Sequence, residues 1–270
     1  MNRAEKLSSL HTFAVCAYGQ SPYLTECLDS LLSQRGRKSE LFIATSTPSA
    51  WLEGIASEYG IQVYVNHGDS GIGQDWNFAY SIAKTPYVTI AHQDDVYCPD
   101  YAEEAVSRLA SCDDSLIYFT DYGEIRQGER IEENRLLSVK RLLLKPLTNQ
   151  KNASKTWAKR APLRFGSAIC CPSVTLNVRN CPNPPFLVGM KSNLDWATWE
   201  RLSRLKGSFL YNSKQILMYH RIHADSATTE LIASHERDEE DLRMLELFWP
   251  KPIAAVIERL YSKGTESNDL

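Results

Sequence analysis

Two adjacent carboxylates, Asp94 and Asp95, are the side chains of this sequence best suited to chemistry. They follow the apolar residues 87–90, which have the composition of a buried strand. Carboxylates at the end of a buried strand are costly unless a cation meets them. Mg²⁺ and Mn²⁺ prefer oxygen ligands and are commonly held by one or two carboxylates together with substrate phosphates. The pair therefore predicts either a divalent cation that carries a diphosphate or a polar turn that closes the strand.

A glycine-containing loop over residues 66–73 is a second candidate for ligand binding. Gly71 and Gly73 let the backbone approach a ligand closely, and the helix expected next carries Asp75 and Asn77. A helix amino terminus favours an anion such as a phosphate. The same glycine spacing occurs in ordinary turns, so these residues alone leave an anion site and a plain loop both open.

The first third of the chain alternates short apolar runs with amphipathic stretches, which predicts βα units and a mostly parallel sheet. The predicted strands cover residues 11–17, 41–44, 61–65 and 87–91, and the predicted helices cover residues 24–32, 51–59 and 76–84. The carboxyl ends of parallel strands open into the crevice where α/β proteins bind ligands. The acidic pair and the glycine loop are therefore expected to face one crevice.

The remainder of the chain mixes the two kinds of element and ends in a helical tail. Strands are predicted over residues 116–120, 169–176 and 215–219, and helices over residues 103–110 and 193–205. Residues 233–263 predict two helices that are broken at Pro250 and Pro252.

Composition excludes several classes of partner. The 270 residues include 30 basic and 33 acidic ones, and the net charge of -3 lacks the basic field of nucleic-acid binders. No apolar run approaches the ~18 residues of a membrane-spanning helix. The seven cysteines show no CxxC pair, which favours reduced thiols. We therefore expect a cytoplasmic protein that does not bind nucleic acid.

Residues 135–164 contain no acidic residue, and their basic residues are interleaved with leucines. This combination suits an anionic membrane surface, here the inner face of the membrane, or an anionic substrate. It is equally typical of a solvated surface loop and helix. The sequence leaves both interpretations open.

The order of several motifs resembles a family 2 glycosyltransferase with the GT-A fold. The amino-terminal motifs are residues 13–18, residues 23–34, the loop with Gly71, Gly73 and Asn77, and residues 93–95. The later motifs are residues 171–175, 194–202 and 219–226, in the order that the family shows. The resemblance spans about residues 11–228, and the succession of motifs makes it specific.

This resemblance implies an α/β fold of GT-A type, with a mostly parallel, Rossmann-like central sheet and flanking helices. It implies one glycosyltransferase domain over residues 1–228. Residues 11–110 would be its nucleotide-binding half, and residues 111–228 its acceptor half, which includes the basic segment 135–164. Residues 229–270 would form a helical C-terminal tail.

The resemblance also implies an activity. A sugar would pass from a nucleotide diphosphate sugar to a hydroxyl of a saccharide or lipid-linked saccharide, with inversion, as in the synthesis of a bacterial capsule or O-antigen. Asp195 matches the general base that deprotonates the acceptor hydroxyl. Mg²⁺ or Mn²⁺ would be held by Asp94, Asp95 and His223 and would neutralise charge on the departing nucleotide.

The remaining site residues are likewise carried over from the resemblance. Those implied to contact the nucleotide or donor are Cys16, Ala17, Tyr18, Thr45, Ser46, Gly71, Asp75, Asn77, Gln93, Asp94 and Arg221. Ser173 and Trp196 are implied to contact the acceptor. Ordinary structural roles compete with these: Asp195 could be a first-turn acid that complements the helix dipole, and Trp199 is expected in the core.

The sequence departs from the family pattern at several positions. His92 replaces the first acid of the metal motif, Trp76 stands where arginine is common, and Leu194 precedes the base where glutamate is typical. Thr45 or Ser46 replaces an acid that accepts a hydrogen bond from the nucleobase, although a hydroxyl can do the same.

Two alternatives therefore stay open. One is a catalytically idle carbohydrate-binding or scaffold protein, which the replaced acids favour. The other is a sugar nucleotidyltransferase, against which the amino terminus lacks a basic, glycine-rich loop to grip a triphosphate.

Overall fold

A computed structural model describes residues 10–36, 39–223 and 236–266. Within them, one sheet of nine strands forms the centre of the molecule. The strands are β1 (His11–Ala17), β2 (Glu40–Thr45), β3 (Gln62–Val65), β4 (Tyr87–His92), β5 (Val96–Tyr97), β6 (Ser115–Arg126), β7 (Glu129–Ile131), β8 (Val174–Asn177) and β9 (Ser208–Ile222). Their order across the sheet is β3-β2-β1-β4-β8-β6-β9-β5, and β7 pairs with β6.

Helices flank this sheet and connect its strands. They are α1 (Leu24–Leu32), α2 (Ala50–Tyr59), α3 (Ile72–Ile82), α4 (Tyr101–Ala110), α5 (Arg135–Leu144), α6 (Thr156–Arg160), α7 (Leu194–Arg204), α8 (Glu236–Glu246) and α9 (Lys251–Glu266). Short 3-10 turns cover Lys145–Thr148, Gln150–Asn152, Ala161–Leu163 and Cys171–Ser173. The predicted α/β architecture is confirmed.

The first four strands in chain order, β1 to β4, are parallel. β1 lies between β2 and β4, and β2 pairs with β3, all in parallel register. Their carboxyl ends consequently lie at one edge of the sheet, as predicted. β8 joins antiparallel to β4 and β6, while β9 runs parallel to β6. Residues 93–95 therefore leave the sheet beside the ends of β1 and β2.

The sheet buries an apolar cluster on each face. Phe13 and Val15 of β1 point into one cluster with α1 and α4, while Ala14 points into the other with α3 and α7. This alternation is the period of two that a strand imposes on its side chains. Because both faces of β1 are covered, its apolar run is nearly continuous, which is why it was recognisable in the sequence.

Several elements differ from the predicted bounds, among them β6, which runs to Arg126 where a strand over residues 116–120 was predicted. α3 begins at Ile72 instead of Trp76, because Gly71 adopts a φ of 142° that only glycine accepts readily and starts the helix early. Residues 169–176 were predicted as one strand, but Pro172 lies in a 3-10 turn and the strand β8 begins at Val174. β9 extends well beyond the predicted residues 215–219.

The tail forms two helices, as predicted, although residues 229–235 and 267–270 lie outside the described residues. Pro252 is tolerated in the first turn of α9 because the amide it lacks has no partner there. Met244, Leu245 and Ala254 belong to one of the two main apolar clusters. The helices α8 and α9 therefore pack on the sheet domain.

Two predictions from composition can be compared with the structure. All seven cysteines fall within the described part of the chain, and each is a free thiol. Among the described helices, none has both the length and the apolar character needed to cross a bilayer.

Candidate active site

The two acids after β4 have different surroundings. Asp95 is fully buried, and its Oδ1 accepts hydrogen bonds from His220 Nδ1 and from the backbone N–H of Arg221, both at 2.9 Å. Asp94 is half-buried, and its Oδ2 lies 2.9 Å from His223 Nε2. The end of β9 is thus joined to the acidic pair by three contacts, and these bring His223 to Asp94 as predicted.

His92 completes the cluster, and its ring stacks on Trp76. The two ring centroids are 5.2 Å apart with an interplanar angle of 17°. These are two of the positions at which the sequence departs from the family pattern, and the structure places them in contact. The replaced acid and the replaced arginine are therefore one linked change.

The donor atoms of this cluster fit a divalent cation. Ligand atoms of His92, Asp94 and Asp95 all lie within 4.8 Å of one another. Asp95 Oδ2 and His92 Nε2 are buried, and neither has a hydrogen-bond partner within the described residues, although Asp95 Oδ2 lies 3.8 Å from His92 Nδ1. A buried carboxylate oxygen without a hydrogen bond is costly, and a cation would supply the missing partner. We had expected His92 outside the set of ligands, whereas its position makes it a candidate ligand beside Asp94 and Asp95.

Electrostatics in the cluster favour the charged forms. Burial alone would raise the pKa of Asp94, but the hydrogen bond from His223 and the charges of His92, His220 and His223 hold it below its usual value. Burial likewise opposes the charge on His220, but Asp95 outweighs it and raises the pKa of the imidazole. The crevice therefore favours the ionised carboxylate of Asp94.

Arg221, which is predicted to contact the donor, has its guanidinium engaged within the protein. The side chain is almost fully buried, and its Nε donates to the carbonyl of Asp94 at 2.9 Å. Its Nη2 donates to Glu26 Oε2, and the group lies over the ring of Tyr23 at 4.3 Å. Arg221 therefore holds the acidic loop in place, and its charge is paired with Glu26.

Asp75 lies where the ends of the first three strands meet. Its Oδ2 accepts from Ser46 Oγ and its Oδ1 from Asn66 Nδ2, both at 2.7 Å, while the Cys16 thiol approaches its backbone carbonyl at 3.9 Å. The sequence lacks an acid directly after β2. The structure brings the carboxylate of Asp75 to that place from the first turn of α3.

Other predicted donor residues divide between exposed and internal positions. Tyr18 is 69% exposed. The backbone N–H of Tyr18 donates to Gln93 Oε1, and the side-chain amide of Gln93 donates to the Tyr18 carbonyl. Ala17 is buried at the end of β1. Thr45 is also buried, and its hydroxyl accepts from the Thr47 N–H at 3.0 Å. Of the two hydroxyls after β2, the one nearer the crevice is therefore that of Ser46.

Gly71 and Asn77 act on the backbone of the protein. Gly71 has a φ of 142°, which a residue with a side chain adopts only with strain. Asn77 donates to the carbonyl of Phe186 and accepts from the Phe186 N–H, both at 2.9 Å. Both ends of its amide are used within the protein, and its contact with the donor stays a prediction.

Asp195 lies in the first turn of α7 and is half-buried. Burial raises the pKa of its carboxyl above the ordinary value of 3.8. The backbone N–H of Trp196 and the charges of Lys140, Arg237 and His92 oppose this effect without cancelling it. Since His92 acts on Asp195, the two lie within electrostatic reach in one crevice. A carboxylate made more basic in this way is suited to accept a proton.

The two predicted acceptor residues are buried and hydrogen-bonded within the protein. Ser173 is fully buried, and its hydroxyl donates to the Cys170 carbonyl at 2.7 Å. Trp196 is 1% exposed, and its indole N–H donates to the Leu163 carbonyl at 3.0 Å. The polar atoms of both side chains are engaged within the protein, and their contact with the acceptor stays a prediction. Trp199 is in the core as expected.

The basic segment, residues 135–164, has an inward half of buried or paired side chains and an outward half of exposed side chains. Inward residues include Lys159, which is fully buried and donates to the carbonyls of Leu205 and Gly207, and Arg160, which pairs with Glu200. Basic residues on the exposed side are Arg135, Lys145, Lys151, Lys155 and Arg164. Large apolar side chains exposed on the same segment are Val139, Leu142 and Trp157. Only the outward half can meet a partner.

The site also contains residues that sequence reasoning missed. Glu26 of α1 and Tyr23 before it hold Arg221, and Glu240 of α8 binds the loop that precedes α7. Lys140 donates to Tyr122 Oη at 2.7 Å and acts electrostatically on Asp195. Lone charged residues on helices give no signal of such contacts, because the partners come from distant parts of the chain.

Comparison with known proteins gives a family match and a set of similar structures. The model of Glycosyl transferase family 2 matches residues 12–168. An uncharacterized glycosyltransferase, RP339 of Rickettsia prowazekii, is 24% identical over 243 residues, which are 87% of this chain and 70% of that protein. The match to the family model ends before Asp195 and His223.

Solved glycosyltransferases share the fold at low sequence identity. TarS 1-349 of S. aureus, solved in complex with UDP-GlcNAc, has a TM-score of 0.60 at 15% identity, over 93% of this chain and 71% of that one. The mannosyltransferase PcManGT of Pyrobaculum calidifontis, solved with GDP-Man and Mn2+, has a TM-score of 0.65 at 12% identity, over 96% of this chain and 76% of that one. The predicted GT-A type fold is confirmed.

Proposed function

The chain belongs to glycosyl transferase family 2, and on this premise we propose that it transfers a sugar from a nucleotide diphosphate sugar to a hydroxyl acceptor with inversion. The observation that carries the proposal is the convergence of Asp94, Asp95 and Asp195 on one crevice at the carboxyl edge of the parallel strands. The donors in the similar structures, UDP-GlcNAc and GDP-Man, support this class of donor.

In this proposal the nucleoside lies over the ends of β1 and β2. Tyr18 offers an exposed aromatic face on which a base can stack. Asp75, oriented by Ser46 and Asn66, replaces the missing acid after β2 and accepts a hydrogen bond from an N–H of the base. Residues 11–110 would then hold the nucleotide, and residues 111–228 would hold the acceptor.

His92, Asp94 and Asp95 are the residues that would hold Mg²⁺ or Mn²⁺, with His223 beside Asp94. A cation there would supply positive charge for the departing diphosphate. The Mn2+ bound with GDP-Man in PcManGT supports this choice of ion. Arg221 and His220 hold the acidic loop in place beneath it.

Asp195 would perform the proton transfer. Its carboxylate takes the proton of the acceptor hydroxyl while the oxygen of that hydroxyl forms a bond to the anomeric carbon. The bond from that carbon to the diphosphate breaks, and its electron pair leaves with the nucleotide. Attack from the face opposite the leaving group inverts the configuration at the anomeric carbon.

A screen of nucleotide sugars by mass spectrometry tests the proposal. With Mn²⁺ and a mixture of UDP-sugars and GDP-sugars, we expect the protein to release a nucleoside diphosphate from one of them by hydrolysis or transfer. Formation of a nucleotide sugar from a nucleoside triphosphate and a sugar phosphate would show a nucleotidyltransferase instead. Nucleotide binding without any turnover would show an idle scaffold.

We further propose that the acceptor belongs to a bacterial cell-surface polysaccharide and is presented at an anionic membrane. The outward half of the basic segment supports this, since Lys151 and Lys155 accompany the exposed Trp157. Basic side chains near an anionic surface contribute about 1 kcal/mol each, and an exposed tryptophan suits the interface.

Charge reversal on this segment is expected to weaken binding to anionic vesicles. Lys151→Glu with Lys155→Glu should lower the affinity about tenfold or more, because two attractions become repulsions. Vesicle sedimentation with anionic and neutral lipids measures it. The control, Lys84→Glu with Arg179→Glu, makes the same change in charge at two exposed residues outside the basic segment. Equal binding of the wild type to neutral and anionic vesicles would refute the electrostatic attachment.

A further inference from the structure

The helix α8 reaches back to the loop that precedes α7. The carboxylate of Glu240 accepts hydrogen bonds from the backbone N–H groups of Lys191 at 2.7 Å, Ser192 at 2.9 Å and Asn193 at 3.0 Å. Its Oε2 also accepts from the Ser192 hydroxyl at 2.8 Å. One side chain that is only 9% exposed thus binds three successive amides.

These amides lie directly before the helix that carries Asp195. Asn193 is the N-cap residue of α7, but its own side chain makes no capping bond. Its amide donates to Asp241 Oδ1 at 2.6 Å. The entry to α7 is therefore held by two carboxylates of α8, whereas α2 and α5 are capped by the side chains of their own N-cap residues, Ser49 and Asn134.

We infer that Glu240 is a positioning residue for Asp195, acting through the loop 191–193. The inference rests on the proposed function, in which Asp195 is the general base. Asp195 comes two residues after Asn193, so the contacts that fix the loop also fix the first turn of α7 and the direction of the Asp195 carboxylate. The tail is then part of the catalytic apparatus.

The charge state of Glu240 suits this role. Burial alone would raise the pKa of its carboxyl, but the hydrogen bonds from Lys191, Ser192 and Asn193 pull it below its ordinary value. Glu240 is accordingly ionised at neutral pH, when all its oxygen lone pairs can accept hydrogen bonds. A glutamine would turn an amide N–H₂ toward backbone N–H groups and lose at least one of these bonds.

Positioning predicts a loss of turnover without a loss of donor binding. We expect Glu240→Gln to lower kcat by about tenfold to a hundredfold, because small displacements of a reacting group have effects of that size. The KM for the nucleotide sugar should change by less than about twofold, since the donor site lies at β1, β2 and β4. The acidic limb of the pH profile of kcat should also shift, because the surroundings of Asp195 change.

Glu239→Gln is the matched control. Glu239 is adjacent in sequence and carries the same charge, but its side chain is 82% exposed and faces Arg243. It should leave kcat, KM and the pH profile unchanged. Ser192→Ala is a milder variant that removes one of the four hydrogen bonds to Glu240, and it should lower kcat severalfold with the same shift of pH profile.

Hydrogen exchange at the amides of residues 191–193 tests the contact independently of activity. We expect faster exchange there in Glu240→Gln than in the wild type and Glu239→Gln. If the wild type transfers no sugar, the proposed function fails. In that case, unchanged hydrogen exchange at residues 191–193 in Glu240→Gln would also refute the positioning role of Glu240. In an active wild type, Glu240→Gln with unchanged kcat and pH profile would overturn it. If Glu240→Gln fails to fold, an unaltered kcat and pH profile in Ser192→Ala would do so.

Discussion

Replacing Asp195 by asparagine is expected to lower the rate of sugar transfer by about 10²–10⁴-fold, the contribution usual for a general base. Asparagine has the same shape as aspartate but cannot accept the proton of the acceptor hydroxyl. Nucleotide binding should persist, because asparagine keeps the shape of aspartate and the nucleoside contacts proposed above come from Tyr18 and Asp75. Single-turnover rates and nucleotide titrations of the two proteins measure both quantities.

The pH dependence gives the same prediction a second test. Only the ionised carboxylate of Asp195 acts as a base, and burial raises its pKa above 3.8. The rate should therefore fall as pH decreases through a pKa higher than that of an ordinary aspartate, and this limb should vanish in Asp195→Asn. Asp113→Asn, at an exposed position outside the crevice, is the control. Transfer by Asp195→Asn at the wild-type rate would show that another group is the base.

Asp95→Asn is expected to abolish stabilisation of the protein by a nucleotide together with Mn²⁺. The substitution removes the negative charge beside His92 while leaving an oxygen that can accept from His220 and the Arg221 N–H. The loss in stability should therefore be only about 1–3 kcal/mol, the range for a hydrogen bond to a charged partner. Denaturant unfolding and thermal shifts separate these two effects.

Asp95→Ala and Asp100→Asn are the comparison variants, with a larger and a smaller expected loss of stability. Alanine leaves His220 and the Arg221 amide without an acceptor in a fully buried place, which should cost about 3–5 kcal/mol. Asp100 is half-exposed, pairs with Arg35 and should have little effect on either property. An Asp95→Asn protein that binds nucleotide and Mn²⁺ as the wild type does would remove Asp95 from the cation site.

The sequence predicts the frame of this site well, for a physical reason. Buried parallel strands need continuous apolar runs, so β1, β2 and β4 were visible in the sequence, and Asp94 and Asp95 could be placed at their carboxyl edge. That His223 approaches Asp94 followed from the resemblance and from no local pattern. The structure brings the two within 2.9 Å through the pairing of β5 with β9.

Roles that depend on distant partners could not be predicted. Arg221, Asn77 and Trp196 have the chemistry of ligand-binding residues, but their polar atoms are bound by Glu26, Phe186 and Leu163. A sequence gives the donors and acceptors of a side chain without the chain segment that will satisfy them.

The departures from the family pattern likewise could not be interpreted from the sequence alone. Trp76 and His92 are separate oddities in the sequence and one stacked pair in the structure. The acid missing after β2 is supplied by Asp75, which the strand order brings to Ser46. These compensations arise from three-dimensional neighbours.

The most direct test of the central claim is the thermal stability of the wild type with UDP or GDP, with and without Mn²⁺. A nucleotide diphosphate site that includes a cation predicts stabilisation of about 2.7 kcal/mol at a concentration of 100 times Kd for the matching nucleotide. The effect should require Mn²⁺ or Mg²⁺ and should exceed that of the same metal alone. Unchanged unfolding with both nucleotides and both metals would contradict the assignment of this crevice as the donor site.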